Sequence, residues 1–204
     1  MRAVASLLLL VGVLAATESA VTLVWQEPIT AFFAHRQQGA LEDQLASTAS
    51  ALASPATKPS RPRSDPAARL RRATRTGDAL GRIRIPKLDI AFVFVAGTGS
   101  KSLEKGPGHY DSTALPGQGG TVGVAGHRTT YLAPFRKLDR LRKGDRIGLT
   151  MPYGRFSYRV EKSLVVSPSR LAVLRQTDEE RLVMTTCTPL FSAAKRLVVV
   201  ARRA

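Results

Sequence analysis

Arg181-Leu182-Val183-Met184-Thr185-Thr186-Cys187-Thr188-Pro189, followed at a short interval by Lys195-Arg196-Leu197-Val198-Val199-Val200-Ala201, decides how this chain is read. Both runs are apolar and β-branched, as strands of a buried sheet are. Pro189 has no N–H to give to a ladder, so the first strand ends there. Cys187, the one cysteine in 204 residues, therefore sits at a strand end and is expected at a sheet rim. Arg196 opens the second run, nine residues on, and is its expected cationic partner. A slip of one position in the pairing would put Lys195 on the thiol's face instead.

Working back from that pair, the domain is a series of short strands. Ile83-Arg84-Ile85 alternates, Pro86 to Asp89 turns, and Ile90 to Val95 is a second run. Thr121-Val122-Gly123-Val124-Ala125 is short and apolar, a buried strand that ends at Gly126-His127. Pro134 suits a first helical turn, and Phe135, Leu138 and Leu141 recur at spacing three, so a short helix is expected there. Arg146 to Met151 and Phe156 to Val160 flank a tight hairpin at Pro152-Tyr153-Gly154. Leu164 to Val166 extends the strand pattern, and Arg170 to Gln176 is a helix or turn. Short strands with glycine and proline punctuation argue for an all-β barrel or sandwich. A barrel brings several strand ends to one rim.

The rest of the chain divides into three parts. Residues 1–27 are expected to be a membrane anchor and 28–78 an extracytoplasmic, basic and largely disordered linker. Residues 79–204 are expected to be the folded domain. Ala3 to Trp25 is nearly all apolar, and twenty-three helical residues would span about 34 Å against a hydrocarbon core of about 30 Å. Arg2 on one side and Trp25 on the other set an inside amino terminus and a single-pass membrane location, with the domain outside. Glu18 counts against the span, since a carboxylate at the bilayer centre costs on the order of 3 kcal/mol. The rival is a cleaved signal peptide with Leu7 to Leu14 as its apolar core. Pro28 to Gln44 reads as a short helix. From Ala46 to Asp78 the composition is Ala, Ser, Thr, Pro and Arg, too poor in large apolar residues to build a core.

The formal charge is +16, and from Ala79 onward there are 22 Lys/Arg against 9 Asp/Glu. Such a surface suits an anionic neighbour: lipid headgroups, an acidic wall polymer or nucleic acid. Aromatics make up 6% of the chain, too few for base-stacking platforms, and no nucleic-acid motif is present. No nucleic-acid partner is expected. One cysteine excludes an internal disulfide and a multi-cysteine zinc site, and no metal is expected.

A lone cysteine with a histidine elsewhere suits a thiol enzyme, although free cysteines are often buried and inert. The thiolate attacks, so the thiol needs a base or an ion-pair partner. His127 takes that role, as base or as imidazolium. Arg196, always charged and carrying five N–H donors, suits an oxyanion. His109 reads as a loop residue, a polar group near substrate or a second acid or base. His35, beside the anchor, is expected to take no part.

The domain resembles the sortases, membrane-anchored cysteine transpeptidases of Gram-positive bacteria. Their Thr-Leu-x-Thr-Cys motif reads here Val183-Met184-Thr185-Thr186-Cys187. Gly126-His127-Arg128-Thr129-Thr130-Tyr131, Gly108-His109-Tyr110 and Cys187-Thr188-Pro189 through Arg196 look similar to the actinobacterial class E group. The resemblance implies a closed eight-stranded β-barrel with short helices and a site at its rim, needing no cofactor. It implies that Cys187 attacks the Thr–Gly bond of a sorting signal similar to Leu-Pro-x-Thr-Gly or Leu-Ala-x-Thr-Gly. An amine of a peptidoglycan precursor, or of a pilin, then takes the acyl group. By the same resemblance His127 is the acid/base, Arg196 holds substrate and oxyanion, and Tyr110 and Thr186 border the groove. The implied partners are surface proteins with a C-terminal sorting signal, with membrane lipid around residues 3–25. Two rivals stand beside this. One is a membrane-anchored basic wall-binding module without catalysis. The other is an L,D-transpeptidase-like enzyme, although the Ser-His-Gly-Cys run usual there is absent.

Overall fold

The computed structural model describes residues 2–24, 28–53 and 65–204. Its strands are β1 (Ala79–Ile85), β2 (Ile90–Ala96), β3 (Gly108–His109), β4 (Thr121–Ala125), β5 (Arg146–Met151), β6 (Gly154–Val166), β7 (Arg181–Thr188) and β8 (Lys195–Arg203). They close into a barrel in the order β1-β2-β3-β4-β7-β8-β6-β5, the eight-stranded architecture expected above. Two of the pairings, β2 with β3 and β4 with β7, are parallel. The two runs read around Phe156 and Leu164 form one 13-residue strand, bent by an irregularity between Val160 and Lys162.

Alternation sorts the side chains of β7. Leu182 and Met184 enter the interior with Ile83, Phe94, Val124 and Val199. Val183 faces the other way, into an outer cluster with Val166, Val198 and Val200 that Val173 and Leu174 partly cover. This outer face leads along β7 to Cys187, by the two-residue period of a strand.

The helix expected over Pro134 to Leu141 is not one. A 3-10 turn covers only Leu138–Arg140, although Phe135, Leu138 and Leu141 are all buried as the spacing required. A spacing of three is the period of a 3-10 turn, whose side chains eclipse at i and i+3.

The stretch 28–78 is corrected in part: the helix expected over Pro28 to Gln44 runs on to Ala53, and a second helix packs on the barrel where disordered linker was expected. Helix α2 (Pro28–Ala53) follows α1 (Arg2–Val24), and α3 (Pro66–Ala73) precedes β1. Residues 54–64 of the expected linker, and Trp25, lie outside the described residues. Asp65 starts α3 by accepting the Ala67 N–H at 3.0 Å, with Pro66 at the first helical position. The hydrogen bond from Gln118, ahead of those from the Ala67 and Ala68 N–H groups, holds the Asp65 carboxyl below its ordinary value. Ala67 and Leu70, three apart on one face, are buried in the main core. The expectation failed because two small or aliphatic residues suffice when the barrel supplies the other half of the contact.

Helix α2 solves a hydrogen-bonding problem. β3 is two residues long and pairs only with Val95 and Ala96 of β2, so β2 has an open edge at Val93. The Gln38 side chain closes it like a short strand. Its Oε1 accepts the Val93 N–H at 2.8 Å, and its Nε2 donates to the Val93 carbonyl at 3.0 Å. Gly106 permits this approach, because a Cβ there would lie 2.5 Å from Gln38 Nε2. Leu41 packs with Ala79, Val93 and Val95, Gln44 Oε1 accepts the Ala79 N–H at 2.9 Å, and Glu42 pairs with Arg82. Among the described residues no helix is long and apolar enough to cross a membrane.

His109 is a strand residue rather than a loop one, and it is buried. Its Nε2 lies 2.9 Å from the Ala114 carbonyl and 3.1 Å from Thr113 Oγ1. Burial pushes its pKa below the ordinary imidazole value; Arg71 acts the same way, while the Ala114 contact and Asp111 oppose it. The folded state therefore keeps this ring neutral where the unfolded chain, with an imidazole pKa of about 6.5, protonates. Its stabilising contribution is complete above that pH and is lost as pH falls below it. The melting temperature of the wild-type chain should therefore fall between pH 7.5 and 5.5 more steeply than that of His109→Gln. Equal slopes would contradict the burial of a neutral ring.

Candidate active site

β7 is flanked by β4 on one side and β8 on the other, and its last residues form the site. On the β8 side Cys187 pairs directly with Arg196, and Thr188 with Lys195. The register alternative is thereby resolved: Arg196, not Lys195, shares the thiol's position. On the β4 side Ala125 pairs with Thr185. The Gly126 N–H continues that ladder to the Thr185 carbonyl at 3.1 Å. His127 comes two residues after Ala125, in the loop that follows β4, as Cys187 comes two residues after Thr185 on β7. The three residues singled out in the sequence thus converge on one rim, from three adjacent strands.

Local chemistry shapes the His127 turn. Gly126 has no side chain to spare, since a Cβ would sit 2.6 Å from the Phe135 ring. The Phe135 N–H donates to the His127 carbonyl at 3.0 Å, closing the loop back on itself. The imidazole lies 5.2 Å from the Tyr131 ring, tilted by 35°. Tyr131, Leu132 and Ala133 follow with φ of 50, 65 and 41°, and Phe191 in the β7–β8 loop has φ of 62°. Among the described residues these are four of the five non-glycine positions with positive φ. Each costs on the order of 1 kcal/mol, and such strain gathers where a site over-determines its backbone.

Cys187 and Arg196 are both partly exposed. Arg196 Nη1 donates to the carbonyls of Ala193 at 2.9 Å and Lys195 at 3.1 Å. No described residue takes up its Nε or Nη2, so the guanidinium is steadied with donors in reserve. Along the same outer face runs a small cleft lined by Tyr110, Val166, Val173, Thr185, Arg196 and Val198. Larger hollows of about 280 and 510 Å³ lie beside α3, but neither touches Cys187, His127 or Arg196. The small cleft is the one that Arg196 lines.

Tyr110 lines this cleft, its hydroxyl 2.8 Å from Thr185 Oγ1. Thr186 does not. It is buried, on the interior parity of β7, and its hydroxyl donates to the Gly126 carbonyl at 2.7 Å. Thr185 takes the place expected of Thr186, because alternation gives the outer face to Val183, Thr185 and Cys187. Counting by twos from Cys187 would have found it. His109, one residue before Tyr110, lines a hollow beside α3 instead. Arg128 was missed altogether. It is buried and reaches the end of β7, yet one sequence does not mark it among 31 Lys and Arg. Among the described residues no group of three or more His, Cys, Asp or Glu side chains is placed to hold a metal ion.

Comparison with known proteins agrees with this arrangement. Sortase D of Bacillus subtilis is 36% identical over 132 residues, 63% of this chain and 65% of that protein. The chain thus spans just under two thirds of that relative. A solved structure of Clostridium perfringens sortase D5, described as a transpeptidase, superposes with a TM-score of 0.65 at 27% identity. It covers 80% of this chain and 97% of that one. Sortase E1 of Streptomyces coelicolor, solved with a tripeptide in its active site, gives 0.58 at 32% identity, over 63% and 89%. The Sortase domain family model matches residues 83–204. With a barrel of the right closure and a cysteine, a histidine and an arginine at one rim, the chain belongs to the sortase family.

Proposed function

We propose that this chain is a cysteine transpeptidase acting on a sorting signal of the Leu-Pro-x-Thr-Gly or Leu-Ala-x-Thr-Gly type. The observation that carries the reading is the direct cross-strand pairing of Cys187 with Arg196, which lines a cleft, at the barrel end where β4 gives way to the His127 loop. The signal lies along the outer face of β7 past Thr185 and Tyr110, with the threonine carbonyl at the thiol. The Cys187 thiolate attacks that carbonyl, and the oxyanion is met by the unengaged N–H groups of Arg196. The tetrahedral intermediate collapses and the C–N bond to glycine breaks. His127 gives the departing amine its proton, leaving a thioester on Cys187. An acceptor amine attacks the thioester and loses its proton to His127, and the thiolate leaves with the new amide formed. The acceptor is an amine of a peptidoglycan precursor or of a pilin, and the donor is a surface protein bearing the signal. An L,D-transpeptidase is not favoured by this family membership, and a non-catalytic wall-binding module is disfavoured by a thiol at the rim rather than in the core.

The location proposed is the cell membrane, with the barrel outside and the apolar segment from Ala3 to Trp25, which runs past the end of α1, as a single-pass anchor. In support, eight large apolar side chains between Val4 and Leu14 are more than half exposed, unburied by any other described part of the chain. Membranes from expressing cells, washed with alkaline carbonate, should retain the chain. Release into the wash or the medium would contradict the anchor.

The reaction is tested on the purified whole chain in detergent with a fluorogenic Leu-Ala-x-Thr-Gly or Leu-Pro-x-Thr-Gly peptide. Cys187→Ala should abolish cleavage. Arg196→Lys should lower kcat about 100-fold, since a point charge replaces the fork of donors. Turnover by Cys187→Ala would remove the thiol from the mechanism, and normal turnover by Arg196→Lys would move the oxyanion role elsewhere.

A further inference from the structure

A fourth side chain links the loop that carries His127 to the strand end that carries Cys187. Arg128 is 7% exposed. Its Nη1 donates to the Thr188 hydroxyl at 2.7 Å and to the Cys187 carbonyl at 3.4 Å. Its Nε donates to the Arg136 carbonyl at 3.4 Å, and its Nη2 lies 3.2 Å from the Asp139 carboxylate. The guanidinium therefore joins the His127 loop, the 3-10 turn and the end of β7.

We propose that Arg128 is a positioning residue, whose buried fork holds the Cys187–Thr188 strand end in register with the His127 loop. The inference rests on the reading that Cys187 and His127 carry the reaction.

The backbone explains why a side chain is needed. The β4–β7 ladder ends with the Gly126 N–H on the Thr185 carbonyl. In a parallel ladder the next bond on that edge would run from the backbone N–H of residue 128 to the Cys187 carbonyl. The chain instead turns toward the left-handed residues Tyr131, Leu132 and Ala133. The Arg128 side chain reaches back and donates where its strand would have done. The ladder is thus extended past the point where the backbone leaves it, and His127 is free to sit in a turn beside the thiol. A strained loop on one side and the left-handed Phe191 in the loop on the other have little regular pairing of their own to fix their separation. Arg136 adds a lighter tie, its guanidinium carbon 5.8 Å from the Phe191 ring centroid. Arginine suits the position because one planar group presents donors in three directions. An ammonium on a flexible stem does not reproduce that geometry.

The experiment compares wild type, Arg128→Ala, Arg128→Lys and Thr188→Val as whole chains in detergent. Melting curves set the folded fraction, and peptide cleavage is followed from pH 5.5 to 9. Arg128→Ala should lower kcat about 100-fold, with KM within about twofold, because displacing a reacting group by about 1 Å has that effect. Its kcat–pH profile should shift, since the thiol–imidazole distance sets it. Millimolar methylguanidinium should restore part of the lost rate. Arg128→Lys should recover no more than about tenfold over Arg128→Ala. Thr188→Val, which keeps the side-chain volume and deletes one acceptor, should show a smaller loss in kcat of the same kind. The proposal is overturned by wild-type kcat in Arg128→Ala. It is equally overturned by a loss that tracks the folded fraction without any shift in profile or rescue. Should Arg128→Ala not fold, an unchanged kcat in Thr188→Val overturns it. Cys187→Ala separates the two levels of argument. If that variant cleaves peptide, the reaction assignment fails; if it is inactive while Arg128→Ala is unimpaired, only the positioning role fails.

Discussion

The register of β7 between its two neighbours is the constraint on which the rest of this molecule depends. β7 is the one strand in contact with both β4, which delivers His127, and β8, which delivers Arg196. Because side chains alternate along a strand, one pairing decides two things together. It puts Leu182, Met184 and Thr186 into the interior, and it puts Val183, Thr185 and Cys187 on the outer face. A slip of one residue would bury the thiol and expose the core. Core packing and site assembly are therefore the same interaction seen from the two sides of the sheet, and the apolar interior holds the reactive rim in place.

Around that register the chain deals with the places where regular pairing runs out. β3 is too short to cover β2, and the amide of Gln38 finishes the edge from α2. β4 stops at Ala125, and the guanidinium of Arg128 continues toward β7. In both cases a planar side chain with several polar atoms stands in for the missing backbone groups, which could not be left unsatisfied in the interior. The second case lies at the thiol, where four left-handed residues also gather. A rim that must hold a thiol, an imidazole and a guanidinium with an open cleft beside them cannot be all regular sheet. Loop strain and the Arg128 clasp are how this fold accommodates that opening.

Much of this was legible in the sequence, for physical reasons. Strand periodicity and turn residues survive in a single chain, so the barrel strands other than the two-residue β3 could be read. Cys187, His127 and Arg196 stand out as candidates because a rare thiol, a histidine after a glycine and an arginine opening a strand are unusual in their places. Thr186 was assigned to the groove because motif adjacency was followed, where strand alternation favours Thr185. The helix read over Pro28 to Gln44 runs on to Ala53, and α3 has little signal in the sequence, because the apolar residues there, Ala67 and Leu70, are few. Their burial depends on a barrel wall that composition does not reveal. Arg128 was invisible for a different reason: its importance lies in which carbonyl it reaches, sixty residues away in the chain. The relatives carry names of both the D and E groups, in keeping with a site read at the level of the family.

The central claim, that Cys187 carries the acyl group between donor and acceptor, is tested most directly by intact-protein and peptide-level mass spectrometry. The whole chain would be incubated with a Leu-Ala-x-Thr-Gly or Leu-Pro-x-Thr-Gly peptide without an acceptor amine, then quenched in acid. The account predicts a mass increase equal to the peptide acyl group ending at threonine, on Cys187 and cleaved by hydroxylamine. An adduct on another residue, or peptide cleavage under single-turnover conditions with no thioester on Cys187, would contradict it.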